Sequence, residues 1–522
     1  MRSFVHSALV GVAASATVAT SPALALDARV TKSAVTDCAA LTSAALPDVR
    51  ITEAAAIPAA PQARAGAKVA HCRVRGVIGV ETRFELLLPD DWNRRFFMGG
   101  AGGFAGAVEN MAVSSVNSGY ATVGTDAGHQ GIAILGNWAV GHPDRVVDYA
   151  HRAVHRTAEV AKLLIAAYYG SAPVKSYFYG CSNGGREALM EAQRYPADFD
   201  GIVAMAPAAD FTATTARFLA TLQALYPAGD YTRPTVTAEN LALVQNRVLA
   251  ACDARDGVAD GVLEDPRQCE FSLDELPACP NDVAAADCLT GAQRKAIAAI
   301  RAPVVINGRT VYPGQPWGNE AEGAGWPLWI TGVTPQFLAA TGNRAPALQS
   351  AFAIGVMGGM VFNDSAWSAR AYDLNRWEAD TRALAPILDA NNADLSAFNA
   401  RGGKLILAHG WSDPALNALA TINYHDAVLK RDRAAGSYVK LFLMPGVLHC
   451  AGGTGCDAVD WYAPIADWVE KGQAPASVIA KKMGPATASA PIRSHRLCPY
   501  PQRAVFDGKG SSDDAASYSC KS

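Results

Sequence analysis

Neither sign of charge dominates this chain. Its 45 Lys and Arg stand against 48 Asp and Glu, a formal net charge of −3, and no block of like charge stands out. That balance argues against nucleic acid or an anionic membrane surface as a main partner. Long apolar runs are also lacking. A membrane-spanning helix needs roughly 20 consecutive apolar residues, and no such stretch occurs beyond the amino terminus. The terminus itself reads as a removable address: Arg2 supplies the charge, Ala8 to Ala19 a small-residue apolar run, and Ala23-Leu24-Ala25 a cleavage site. Residues 1–25 are therefore expected to be removed and the remainder secreted or delivered to the periplasm. His151 and His155 share a helix face, but no H-E-x-x-H pattern joins them, so packing or surface roles are expected.

Cysteine, by contrast, is plentiful. Eleven cysteines in a chain expected to be exported point to a disulfide framework rather than to metal thiolates. Local spacing suggests Cys38–Cys72, Cys252–Cys269, Cys279–Cys288 and Cys498–Cys520. Cys181, Cys450 and Cys456 are left for one bridge and one odd thiol, and spacing alone does not fix which. Hydrophobic residues make up 50% of the chain, ample for a large core, and the length suits one large domain with an insertion or two domains.

Strand-like stretches are Val74 to Leu88, Phe96 to Met98, Tyr120 to Gly124, Ser176 to Tyr179, Phe199 to Met205, Lys404 to Ala408 and Val439 to Met444. Helical periodicity runs from Tyr149 to Tyr169, from Glu187 to Tyr195 and from Pro464 to Glu470. Between about Asp210 and Leu395 this alternation fades, and cysteine, Pro, Gly and Trp accumulate, including Trp317, Trp326, Trp329, Trp367 and Trp377.

Gly180-x-Ser182-x-Gly184 lies between a strand and a helix, the context of a nucleophile elbow. Small flanking residues let such a serine stand clear of the sheet. The glycine-dense loop Gly99 to Gly106, after an early strand, suits the donation of backbone N–H groups to an oxyanion. Asp413 and His449 each lie just past the carboxyl end of a later strand. Ser182, Asp413 and His449 thus occur in the order expected of an α/β-hydrolase, at the sheet edge where sites assemble. The chemistry needs His449 to take the serine proton and a carboxylate to hold its tautomer. Cys181 precedes the serine and Cys450 follows the histidine; if the two catalytic residues touch, these cysteines come within bridging range, with Cα atoms ~4.4–6.8 Å apart.

The motifs Gly180-Cys181-Ser182-x-Gly184-Gly185-Arg186, Gln193-Arg194-Tyr195-Pro196, Phe199-Asp200-Gly201-Ile202, His409-Gly410-Trp411-Ser412-Asp413 and His449-Cys450 span the mature chain. Through them the chain resembles the tannase/feruloyl esterase family, which includes a bacterial mono(2-hydroxyethyl) terephthalate hydrolase. The resemblance implies that Ser182, Asp413 and His449 are the triad, that Cys181–Cys450 is the bridge, and that Gly103 and Asn183 supply the oxyanion N–H groups. It also implies a lid tryptophan at Trp329 and a lid arginine at Arg344 for a free carboxylate. Leu348 stands where the terephthalate enzyme has an aromatic, and Asn183 where it has an acid. Leu416, just past Asp413, is expected to add an apolar contact.

Asp253, Asp256 and Asp260 alternate with glycines in Cys252 to Val262. Three carboxylates so close repel one another unless a cation neutralises them, and hard oxygen ligands suit Ca²⁺. The spacing is not that of an EF-hand. The family resemblance implies a structural lid calcium held by Asp253, Asp256 and Asp260 with the carbonyls of Val258 and Val262.

The expected architecture is an α/β-hydrolase core, residues 26–209 and 396–522, interrupted by a lid domain, 210–395. The expected activity is that of a serine carboxylesterase on small esters of aromatic acids, feruloyl, hydroxycinnamoyl or galloyl, without an organic cofactor. A hydrolase of terephthalate half-esters or other synthetic aromatic esters is the alternative, and an inactive extracellular binding module a third.

Overall fold

Nine strands carry the catalytic half of the molecule: β1 (Val49–Ile57), β2 (His71–Ile78), β3 (Thr82–Pro89), β4 (Arg95–Gly99), β5 (Ala121–Thr125), β6 (Lys175–Cys181), β7 (Gly201–Met205), β8 (Lys404–Gly410) and β9 (Val439–Met444). They form one sheet in the order β1-β2-β3-β5-β4-β6-β7-β8-β9. Pairing is antiparallel from β1 through β3 to β5, and parallel from β5 through β4, β6, β7 and β8 to β9. This is the α/β-hydrolase fold. The computed structural model describes residues 37–63, 65–332, 335–485 and 490–522. The expected signal segment, residues 1–25, lies outside them.

Alternation along the strands explains both layers. Phe96 and Met98 of β4 point into one apolar cluster and Phe97 into another. The first cluster is closed by helices α1 (Ala153–Tyr169), α2 (Asn183–Arg194) and α3 (Ala418–Arg431), through Ala158, Leu189 and Ile422 among others. The second is closed by α4 (Tyr462–Lys471), through Ile465 and Trp468. Each fully buried Phe or Leu here contributes ~1.5–3 kcal/mol. The central strands, covered on both faces, read as continuous apolar runs for this reason.

Two elements differ from the sequence reading. The alternation from Val74 to Leu88 is a hairpin and not one strand, because Gly79 takes a left-handed φ of 59° and turns the chain between β2 and β3. The helix expected from Tyr149 begins in the α form at Ala153, after a wider π-turn over Asp148–Arg152.

Among the described residues, 206–403 add no strand to the large sheet. They build helices, the longest of them Phe211–Leu225 and Ala238–Cys252, a small hairpin (Val304–Ile306 with Arg309–Tyr312) and an apolar cluster around Trp317, Trp326 and Ile297. Five disulfides staple the chain: Cys38–Cys72, Cys181–Cys450, Cys252–Cys269, Cys279–Cys288 and Cys498–Cys520. Cys456, buried, is the free thiol. Among the described residues no helix is long and apolar enough to cross a membrane.

Candidate active site

The parallel strands end at one edge, and the predicted chemistry gathers there. β6 stops at Cys181, and α2 starts at Asn183, so the turn has only Ser182 in which to reverse direction. A Cβ on Gly180 would lie 2.2 Å from the Gly184 carbonyl oxygen, and one on Gly185 2.4 Å from that of Met205. Ser182 itself is held at φ 65° and ψ −123°, a sparsely populated conformation. Such strain costs about 1–3 kcal/mol and persists only where surroundings over-determine it. Here the Ser182 N–H donates to Met205 O at 3.1 Å, and its carbonyl accepts from Arg186 and Ala208 N–H at 3.1 and 3.2 Å.

Asp413 and His449 sit beyond β8 and β9. Asp413 Oδ2 accepts from His449 Nδ1 at 2.7 Å, while Oδ1 accepts from the Ala415 and Leu416 N–H groups at 2.8 and 2.9 Å. Asp413 is fully buried. Burial alone would raise its pKa, but the His449 charge and hydrogen bonds from His409 and His449 outweigh it and hold the carboxyl well below the usual range. An ionised Asp413 only accepts, so when His449 is neutral its proton sits on Nδ1 and Nε2 is the nitrogen left to accept one. His449 and Ser182 line the same cavity.

Opposite lies the glycine loop. Gly100, Ala101 and Gly102 commit their N–H groups to Tyr179 O at 2.9 Å, Glu187 Oε2 at 3.0 Å and Glu109 Oε2 at 2.8 Å. Among the described residues the N–H groups of Gly103 and Asn183 donate to no protein acceptor. Gly103 has φ +54°, and its carbonyl accepts from Tyr149 Oη at 3.0 Å. The Asn183 side chain donates to Ala101 O and Glu187 Oε1, at 3.1 and 2.9 Å, and accepts from Arg186 Nε at 2.8 Å. Arg186, fully buried, also donates to Ala150 O and Tyr149 O. Burial pushes Glu187 up to about 7. Sequence reasoning assigned no role to Tyr149, Arg186 or Glu187; the only signal was the pair of charges placed where α2 must be buried.

The cavity, about 460 Å³, is walled by aromatic side chains. Trp329 meets the His449 ring edge-on at 4.9 Å and stacks on Phe352 at 6.1 Å, and Phe352 meets Phe104 at 5.1 Å. Leu416 lines it too. Arg344 does not. It lies in a separate cavity with Asp364 and Trp367, its guanidinium donating to Ser365 O and Thr341 O. Leu348 is also outside the wall; Phe352, one helical turn further along Leu348–Ile354, occupies it. The segment 206–403 grips the acid loop, through Gln315 to Asp413 O and Gln349 to Pro414 O, both at 2.7 Å. Of the two histidines read as packing residues, His151 Nδ1 pairs with Tyr195 Oη at 2.7 Å and His155 Nδ1 with Asp198 Oδ2 at 2.6 Å.

A family model described as tannase and feruloyl esterase matches residues 67–521. The chain belongs to that family. As a member of it, the protein is a carboxylic ester hydrolase. It is 34% identical to an uncharacterized esterase of Xanthomonas campestris pv. campestris, over 94% of this chain and 92% of that protein. It is 32% identical to the mono(2-hydroxyethyl) terephthalate hydrolase of Piscinibacter sakaiensis, over 88% and 86%. The solved structure of feruloyl esterase B from Aspergillus oryzae is similar at 26% identity with a TM-score of 0.81, covering 93% of this chain and 99% of that one.

In this tannase and feruloyl esterase member the acidic loop adjoins a strand near the carboxyl terminus, Pro491–Leu497. Asp256, Val258, Asp260 and Val262 line one cavity, to which Arg493 and His495 also belong. Asp253 accepts from the Gly261 N–H at 3.0 Å, and Asp260 Oδ2 from Arg493 at 3.1 Å. Burial pushes Asp256 up to about 6 and raises Asp260.

Proposed function

We propose that this protein is an exported serine esterase for esters of uncharged aromatic acids, feruloyl, hydroxycinnamoyl or galloyl, with residues 210–395 acting as a lid. One observation carries the reading: the cavity beside Ser182 and His449 is aromatic, and among the described residues no Lys, Arg, Asp or Glu lines it. Its polar lining includes Thr214 and Thr215, whose hydroxyls donate to Asp210 O and Phe211 O. Thr215 is left as an acceptor, which is what a phenolic O–H requires, whereas Thr214 also pairs with the Tyr312 hydroxyl. A terephthalate half-ester would bring a carboxylate, and Arg344 is turned into another cavity.

In the mechanism His449 Nε2 removes the Ser182 proton as Oγ adds to the ester carbonyl carbon. The resulting oxyanion lies within reach of the unpaired N–H groups of Gly103 and Asn183, an arrangement worth about 10²–10³ in rate per donor. Collapse expels the alcohol, which takes the proton from His449, and leaves the acyl group on Ser182. Water, deprotonated by His449, then releases the acid and restores the serine. Asp413, ionised throughout, stabilises the imidazolium.

The acidic loop fits a structural Ca²⁺ held by Asp253, Asp256, Asp260 and the Val258 and Val262 carbonyls. Its donors are hard oxygens, and a cation would relieve the burial that raises Asp256 and Asp260. Turnover of methyl ferulate, a gallate ester and a terephthalate half-ester, measured side by side, tests the substrate class. Preference for the half-ester would overturn it. A fluorophosphonate probe is expected to label Ser182; a folded, unlabelled protein would rule out the esterase mechanism.

A further inference from the structure

His155 on α1, Glu191 on α2 and Asp198 in the loop after α2 converge apart from the catalytic cavity. One ligand atom from each lies within 4.8 Å of the others, the only such cluster among the described residues. Glu191 is the anomaly. It is 1% exposed, and among the described residues the only group facing its oxygens at hydrogen-bond range is Asp198, itself a carboxylate. Two buried carboxylates set against each other demand either a proton or a cation between them.

The imidazole is set up for the second. His155 Nδ1 faces Asp198 Oδ2 at 2.6 Å, while Nε2 lies 3.7 Å from Glu159 Oε1. A metal-bound histidine characteristically turns its other ring N–H toward a carboxylate, which fixes the tautomer. Tyr195 stacks on the ring at 3.8 Å and an interplanar angle of 5°, holding its direction. Lys162, the nearby cation, donates to the Asp198 carbonyl and lies 3.6 Å from Asp198 Oδ1. No bond from it reaches Glu191.

From this convergence we infer that His155 Nδ1, Glu191 and Asp198 bind a divalent transition-metal cation of the zinc class, bracing α1 against α2. One nitrogen with two carboxylates suits Zn²⁺ better than Ca²⁺, and three protein ligands leave a position for water. Binding releases to solvent both the proton on His155 Nδ1 and the one held between Glu191 and Asp198. None of the three ligands lines the catalytic cavity, so the ion takes no part in ester hydrolysis.

The test uses the whole, untagged protein, stripped with chelator, resupplied with excess Ca²⁺ and titrated with ZnCl₂. One zinc per chain is expected after dialysis, by elemental analysis, with a Tm raised by several degrees. Glu191→Gln should weaken zinc binding by about tenfold or more, as should His155→Gln if the first variant does not fold. Asp256→Asn, in the acidic loop, should leave zinc binding intact. Absence of bound zinc, or equal affinity in Glu191→Gln, would overturn the proposal. So would a Glu191→Gln protein more stable than a parent that takes up no zinc, since a shared proton would then explain Glu191.

Discussion

Glu187 reaches both halves of the proposed oxyanion site through a single carboxylate. One oxygen accepts from the Ala101 N–H of the glycine loop and the other from the Asn183 side chain. Glu187→Gln would set an amide N–H₂ against one of these donors and loosen the loop that ends in Gly103. We expect kcat to fall about tenfold or more, since small misplacements of catalytic groups are costly, with KM changed less than about twofold. Unchanged kcat would show that the loop holds its position without this anchor. The proposed triad of Ser182, Asp413 and His449 could be read from the sequence because each follows directly on a strand. Glu187 was not, because its partner Ala101 lies 86 residues away. Arg344 was misplaced for a related reason: its side chain finds carbonyl acceptors at Ser365 and Thr341, which no local pattern reveals.

At the level of elements, the elbow and the histidine loop are joined covalently. The Cys181–Cys450 bridge spans 269 residues of sequence. For so long a loop the chain-entropy model gives about 5 kcal/mol, an upper figure. Replacing both cysteines with Ala should lower Tm by several degrees and reduce kcat, because the proposed base, His449, would no longer be tied to the proposed nucleophile, Ser182. A double variant with parental Tm and kcat would refute that role. Sheet strands and their helices were readable from apolar runs and period, but residues 206–403 were readable only as an interruption. Two of their helices, Phe211–Leu225 and Ala238–Cys252, run to 15 residues, but their contacts with the acid loop are single side chains such as Gln315 and Gln349. The cluster of His155, Glu191 and Asp198 was equally hidden, since it draws on three elements. The reading of His155 as a packing residue considered only its own helix.

Across the whole molecule, buried carboxylates set the response to pH. Burial raises Asp126 to about 6 and Glu187 and Asp389 to about 7. Between their ordinary values, about 4 to 4.5, and these raised ones, the folded chain holds protons that the unfolded chain has lost. Stability should therefore fall as pH rises through this window. Asp413 and Glu470 act oppositely: their depressed values give stability that is present above about pH 4 and lost as pH falls below it. Thermal unfolding is thus expected to give a higher Tm at pH 5.5 than at pH 8, with Asp389→Asn flattening the difference. A Tm that climbs steadily from pH 5 to pH 8 would contradict this.

The long bridge also bears on the order of manufacture. Cys181 emerges from the ribosome well before Cys450, and at about 5–20 residues per second the interval is roughly a quarter of a minute to a minute. Throughout it Cys181 lacks its native partner, and Cys456 follows Cys450 by only six residues. Maturation of this enzyme is therefore a sorting problem between two adjacent thiols, and a chain kept in a reducing compartment would stay unlatched.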